Sequence, residues 1–330
     1  MTNKTSKYPK ASVKVYHGYG HTHNLIVFGH VLKSKIFIQR HYTRNIFINI
    51  FNLLKLFFIT PLPAASVRLQ WQKQIVYSTT EKDGFFKFEW ESDNEVEAGW
   101  HDATVDLLNA NGEVITTGEG KIFVPHRTQY GFISDIDDTV LISHSGTTGK
   151  KLWSMLTKNP RRRKTFADVV NHYQLLSTAH TESSVPNPFF YVSSSEWNLY
   201  DYLNEFFKFN QLPNGAFLLN EIKKWFQLFK TGSTKHHGKL IRVARILKAF
   251  PAQQFVLLGD NSQQDPDIYT SIADKYPGRI FAIYIRNISS EKQASTETLL
   301  ASLDDKSIYT LLYKHTSEAI LHSRSIGLIV

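Results

Sequence analysis

Residues 131–143 read GFISDIDDTVLIS. An apolar run ending at Ile133 leads almost directly into Asp135, Asp137 and Asp138. Carboxylates this close repel one another, so their placement needs a physical reason. The run itself has the length of a buried strand, and continuous apolar strands are typical of parallel sheets covered on both faces. Similar runs recur at 189–193, 216–219, 255–258 and 280–285. Helical patterns lie between or beside them at 166–178, 197–209, 239–250 and 267–276, and a helical tail is expected after residue 296. This alternation predicts an α/β domain built on a parallel sheet.

Upstream the period changes. Val67, Leu69 and Trp71 alternate with polar residues, as do Phe86, Phe88 and Trp90. Asp83-Gly84 marks a turn, and Asn111-Gly112 is a strong hairpin signal. A small N-terminal β-sandwich-like domain is expected. The boundary falls near Pro125-His126, giving domains 1–125 and 126–330.

The chain of 330 residues is long enough for two domains, and 42% hydrophobic content is enough for substantial cores. It has no cysteine, which excludes disulfides, thiolate-bound zinc and a thiol nucleophile. The first fifteen residues lack the apolar stretch of a signal peptide, so a cytoplasmic location is expected. A net charge of +9 favours anionic partners.

Ligands of an open α/β sheet bind beyond the carboxyl ends of its strands. After the first run come Asp135, Asp137, Asp138 and Thr139; after the second, Ser193, Ser194 and Ser195; after the fourth, Gly259, Asp260 and then Asp265. Lys239 opens the helical segment before the fourth run. Carboxylates, hydroxyls and an ammonium gathered at one edge suit a hard divalent cation and a phosphoryl group. Asp135 and Asp260 can share Mg²⁺, which would relieve the repulsion and keep Asp135 ionised as a nucleophile. Asp137 is placed to act as general acid and then base. Ser193 can donate to a phosphoryl oxygen, and Lys239 can neutralise developing charge. The candidate catalytic residues are therefore Asp135, Asp137, Ser193 and Lys239. Thr139 and Ser194 are candidate substrate contacts, although Thr139 also helps to shape the turn with Asp138.

These residues carry a resemblance. DIDDT at 135–139 resembles the first motif of the haloacid-dehalogenase-like superfamily, Ser193 its second, Lys239 its third and GDNSQQD at 259–265 its fourth. The stretches 188–203, 255–269 and 277–289 are similar to the catalytic domain of actin-patch-type phosphatidate phosphatases, and the β-rich N-terminal region to that of bacterial members. The resemblance implies a Rossmann-like phosphatase fold and a Mg²⁺-dependent reaction through an aspartyl-phosphate. It implies Asp135 as nucleophile, Asp137 as acid/base, and a metal set of Asp135, Asp137 (by its main-chain carbonyl), Asp260 and a supporting Asp265. A phospholipid substrate met at a membrane surface follows, with the protein peripheral, on the inner face, rather than transmembrane. Asn261 and Gly238 depart from the family pattern beside the motif residues, and Lys235 is the alternative third-motif lysine.

Other readings stay open. A phosphatase for a soluble ester and a non-catalytic membrane-binding scaffold are the rivals. An EF-hand loop starting at Asp135 fails, because Val140 and Gly146 stand where Gly and Glu are required. Gly146–Lys150 lacks the Walker spacing. Arg161 and Arg162, within the basic run 161–164, are candidate contacts for an anionic lipid surface, against the plainer reading of a solvated charge cluster. The apolar stretch 46–60 predicts a helix, either packed on the β domain, which its wide apolar arc favours, or lying on a membrane. No nucleic-acid motif is present.

Overall fold

The computed structural model describes residues 11–21, 23–34, 48, 51, 54–142, 160–221 and 235–330, without the side chains of residues 162 and 235–237. The chain separates into two compact units. One holds residues 1–40, 54–125 and 221–225, the other 41–53, 126–220 and 226–330.

The first unit is a sheet of eight strands. They are β1 (Ser12–Val15), β2 (Gly18–Gly20), β3 (Asn24–Leu32), β4 (Ser66–Trp71), β5 (Gln74–Thr79), β6 (Phe85–Glu91), β7 (Gly99–Leu108) and β8 (Val114–Val124). β1 and β2 lie in succession along one edge of β3, and β6 pairs with the other. All pairings are antiparallel except β2 with β8. The alternation in β4 and β6 sends Val67, Leu69, Trp71, Phe86, Phe88 and Trp90 into one core. Both expected turns form. Gly84 and Gly112 take φ of 79° and 81°, and the Asn109 side chain accepts from the amides of Asn111 and Glu113. β3 carries no alternation to read, since every residue after Asn24 is buried. In the apolar stretch 46–60, residues 48, 51, 54 and 55 are helical, while 46, 47, 49, 50, 52 and 53 lie outside the described residues.

The second unit contains the parallel sheet. Its strands are β9 (Tyr130–Ser134), β10 (Phe189–Glu196), β11 (Gly215–Asn220), β12 (Gln254–Asp260), β13 (Ile280–Arg286) and β14 (Tyr309–Tyr313), in the order β11-β10-β9-β12-β13-β14. Helices α1 (Val169–Ser177), α2 (Tyr200–Phe209), α3 (Lys235–Ala249), α4 (Asp265–Lys275), α5 (Gln293–Ala301) and α6 (Thr316–Ser325) occur between or after them. Every residue of β9 is buried, as both-sided covering requires. The region after residue 296 is not wholly helical. β14 adds a parallel edge strand to β13, and four of its five residues are only partly buried or exposed. Its five residues are a short apolar run, YTLLY, set between helical segments, and periodicity alone does not separate such a run from a helix. Among the described residues, no helix is long and apolar enough to cross a membrane.

Candidate active site

The strand order puts β9 between β10 and β12, so the residues following these three strands meet at one sheet edge. Ser134 is in register with Leu258, and the Asp135 amide donates to the Leu258 carbonyl at 2.8 Å. Asp260 therefore ends the neighbouring strand close to Asp135. Asp265 opens α4, where a carboxylate is favoured by the helix dipole. Gly259 makes room for it: a Cβ there would lie 2.6 Å from Asp265 Oδ2. That same oxygen accepts from the Asp260 amide at 3.3 Å.

Lys239, on α3, reaches into this cluster. Its ammonium donates to Asp135 Oδ1 at 2.7 Å and to Asp265 Oδ1 at 2.5 Å. The lysine and both carboxylates are at most 5% exposed. Lys239 thus meets two of the candidate carboxylates, while the side chain of Lys235 lies outside the described residues. Asp135 Oδ2 is buried and accepts no hydrogen bond among the described residues. Asp260 Oδ1 accepts from the Ser262 amide at 2.6 Å, and Thr139 Oγ1 donates to Asp260 Oδ2 at 3.5 Å.

The acid/base candidate is held separately. Asp137 Oδ2 accepts from Ser195 Oγ at 2.8 Å and from Ser193 Oγ at 3.4 Å. Ser193 Oγ in turn accepts from the Ser195 amide at 2.9 Å. The shorter contact to Asp137 thus comes from Ser195, a strand-end serine that had no assigned role. The signal was its place two residues after Ser193, on the same face of a strand. A register irregularity between Val192 and Glu196 shapes this end of β10. Ser194 faces elsewhere and donates to Gln263 Oε1 at 3.0 Å.

The third aspartate is explained by backbone conformation. Asp138 has φ of 62°, in the left-handed region that Asp, Asn and Gly tolerate best. Its amide donates to the Leu141 carbonyl at 2.8 Å. Asp138 turns the chain after Asp135 and Asp137.

Of the remaining candidates, Arg161 donates through Nε to Glu205 on α2 at 2.6 Å, and the side chain of Arg162 lies outside the described residues. The basic run is not uniformly a solvated cluster. Arg163 is buried and donates to the Ile142 carbonyl at 3.4 Å. Asn261 is also structural. Its side chain accepts from the amides of Ile288 and Ser289 and donates to Asn287 Oδ1 and the Ser289 carbonyl, clamping the turn after β13.

Electrostatics follow from burial. Desolvation raises the Asp135 carboxyl well above its ordinary range; Lys239 opposes this, while Asp265, Asp260 and Asp137 add to it. Desolvation and Asp265 push Asp260 up to about 7. Burial alone would lower Lys239, but Asp135 and Asp265 outweigh it and raise its pKa. Such a cluster disfavours its own ionised forms and is relieved by a proton or a bound cation. Asp135, Asp260 and Asp265 each offer an oxygen, all within 4.8 Å of one another. An all-oxygen donor set, with one buried oxygen lacking a hydrogen bond, fits a hard divalent ion. The Asp137 side chain is not part of this triad.

The fold and site define a class: a parallel α/β domain that gathers a buried carboxylate triad, an ammonium and a hydroxyl-held carboxylate at its strand ends. Residues 130–287 match the family model described as "Phosphatidate phosphatase APP1, catalytic domain", a span that includes every residue of this cluster. The chain is 35% identical over 161 residues to Phosphatidate phosphatase APP1 of Saccharomyces cerevisiae, covering 48% of this chain and 26% of that protein. It is 26% identical over 189 residues to an uncharacterized protein of Schizosaccharomyces pombe, covering 56% and 30% respectively. The chain thus spans under a third of the length of these relatives. A solved carbohydrate acetylesterase of Xanthomonas citri aligns over 93% of this chain and 70% of its own, with a TM-score of 0.30 and 8% identity.

Proposed function

We propose that the second unit is a haloacid-dehalogenase-like, Mg²⁺-dependent phosphomonoesterase acting on phosphatidate. The observation that carries this reading is the buried Asp135, set among Lys239, Asp260 and Asp265 within a region that matches a phosphatidate phosphatase catalytic domain. Mg²⁺ would be held by Asp135, Asp260 and Asp265. When bound, it supplies positive charge against the phosphoryl oxygens.

An Asp135 oxygen attacks phosphorus in line with the leaving oxygen. The bond from phosphorus to the glycerol oxygen breaks as the bond to Asp135 forms. Asp137, held by Ser195 and Ser193, gives its proton to the departing oxygen. Asp137 then takes a proton from water, which attacks the aspartyl-phosphate and frees Asp135 and inorganic phosphate. Lys239 offsets charge on the nucleophile and in the transition state. Thr139 stands at the cluster and contributes a hydroxyl to Asp260. A net charge of +9 favours encounter with an anionic lipid surface from the cytoplasmic side, with the protein bound peripherally.

The test is Mg²⁺-dependent phosphate release from phosphatidate in mixed micelles, against a panel of sugar and nucleotide phosphates. Phosphatidate should be the preferred substrate and Asp135→Asn should abolish its turnover. Much faster turnover of a soluble ester would remove the lipid assignment, and retained activity in Asp135→Asn would remove the nucleophile.

A further inference from the structure

β13 ends on Arg286, and its guanidinium is 1% exposed. It sits between the rings of Phe166 and Tyr313, 4.1 and 4.8 Å from their centroids. Nε donates to the Thr139 carbonyl at 3.2 Å, Nη2 to Thr316 Oγ1 at 3.1 Å and Nη1 to the Lys314 carbonyl at 3.5 Å. These three acceptors are all neutral. A buried cation is costly without opposing charge, so the site must supply something that its hydrogen-bond partners do not.

A carboxylate-bearing residue is its partner in the next strand. Arg286 is paired in the ladder with Asp260, and its carbonyl accepts from the Asn261 amide at 3.0 Å. In the same cluster Lys239 donates to Asp135 and Asp265. Arg286 helps lower His172 behind burial and opposes the burial-driven rise of Tyr173. Helix α6 does not explain the arginine. Thr316 is its first residue, and a cation is disfavoured at that end of a helix. What the guanidinium does reach is the 135–141 loop, through the Thr139 carbonyl. The planar fork spans the Thr139 carbonyl and the start of α6 at once, which a lysine cannot do.

We propose that Arg286 is a positioning residue for the reaction: its guanidinium pins the Thr139 carbonyl and so fixes the 135–141 loop against Asp260. This rests on the phosphomonoesterase reading for its kinetic consequence, but its structural consequence can be measured without turnover. Arg286→Lys keeps the charge and loses the fork. Thr316→Val keeps the guanidinium and removes its distal anchor.

Amide hydrogen exchange over residues 135–141 should be at least tenfold faster in Arg286→Lys, with exchange in β1–β8 unchanged. Thr316→Val should change it in the same direction by a few fold. In phosphate release, Arg286→Lys should lower kcat at least tenfold with KM within about threefold. Exchange that stays within twofold of the parent in both variants overturns the proposal. If Arg286→Lys does not fold, unchanged exchange in Thr316→Val overturns it alone. A parent protein without phosphatase activity, but with the expected exchange pattern, would instead remove the functional reading and keep Arg286 as the clamp of this loop.

Discussion

Replacing Lys239 by Met removes one ammonium and leaves Asp135 and Asp265 buried without it. The side chain makes two charge-assisted hydrogen bonds, to Asp135 Oδ1 and Asp265 Oδ1. Such bonds contribute about 1.5–3 kcal/mol each, and removing one partner of a buried ion pair costs about 3–5 kcal/mol. The two estimates overlap at about 3–5 kcal/mol. At about 2–4 °C per kcal/mol for a domain of this size, the melting temperature should fall by about 6–20 °C. The loss should also depend on pH. The carboxyls of Asp135 and Asp260 are already raised in the parent by burial and mutual repulsion, and loss of the ammonium raises them further. Their charged forms are therefore the unfavourable ones, and the Met variant should be penalised more at pH 7.5 than at pH 5, where protons take over the role of the ammonium. Thermal and urea unfolding of parent and variant at both pH values, without divalent cation, measure this. Added Mg²⁺ should recover part of the loss at pH 7.5. A destabilisation below about 1 kcal/mol, or one equal at the two pH values, would refute the view that Lys239 holds the carboxylate cluster together.

Three further outcomes are expected. Ser195→Ala removes the 2.8 Å donor to Asp137, and a hydrogen bond to a charged group worth about 1.5–3 kcal/mol translates into roughly a 10–150-fold loss in kcat for phosphate release; a change below threefold would show that Ser195 does not orient Asp137. Asp138→Gly should leave stability within about 1 kcal/mol, whereas Asp138→Val should cost about 1–2 kcal/mol for a branched side chain at φ of 62°, as read by urea midpoints; equal effects would contradict the backbone account. His172 is buried and its pKa is lowered to about 3, so the unfolded chain binds the extra proton between that value and about 6.5, and stability falls as pH drops through this window. From these two values the loss from His172 at pH 5 is about 2 kcal/mol, and His172→Gln should flatten the urea-midpoint profile between pH 7 and 5 by that amount.

The parallel sheet was legible because each of its inner strands is a continuous apolar run followed at once by polar residues. β9 is the clearest case, since all five residues are buried and Asp135 comes next. Position after a strand end, rather than residue type, singled out Ser193, Asp260 and Asp265. What escaped depends on features that a linear pattern does not record. Ser193 and Ser195 look equivalent until the hydrogen bonds to Asp137 separate them. Arg286 reads as an ordinary polar residue closing a strand, and its importance comes from Phe166, Tyr313 and Thr139, far away in sequence. In the basic run, charge alone suggested exposure, whereas Arg163 is buried against the Ile142 carbonyl. β3 is buried almost throughout, so it lacks the alternation that marks a half-exposed antiparallel strand.

The placement of β9 also has a consequence in time. Lys239 follows Asp135 by 104 residues, and Arg286 follows Thr139 by 147. At about 5–20 residues per second, a ribosome needs roughly 7–30 s to travel from the loop to its arginine clamp. β10, Lys239 and β12 emerge within that interval, and the Thr139 carbonyl meets its guanidinium partner only at the end of it. A chain that stops short of Arg286 would lack both this partner and the edge strand β14, and should not hold the 135–141 loop as the full chain does.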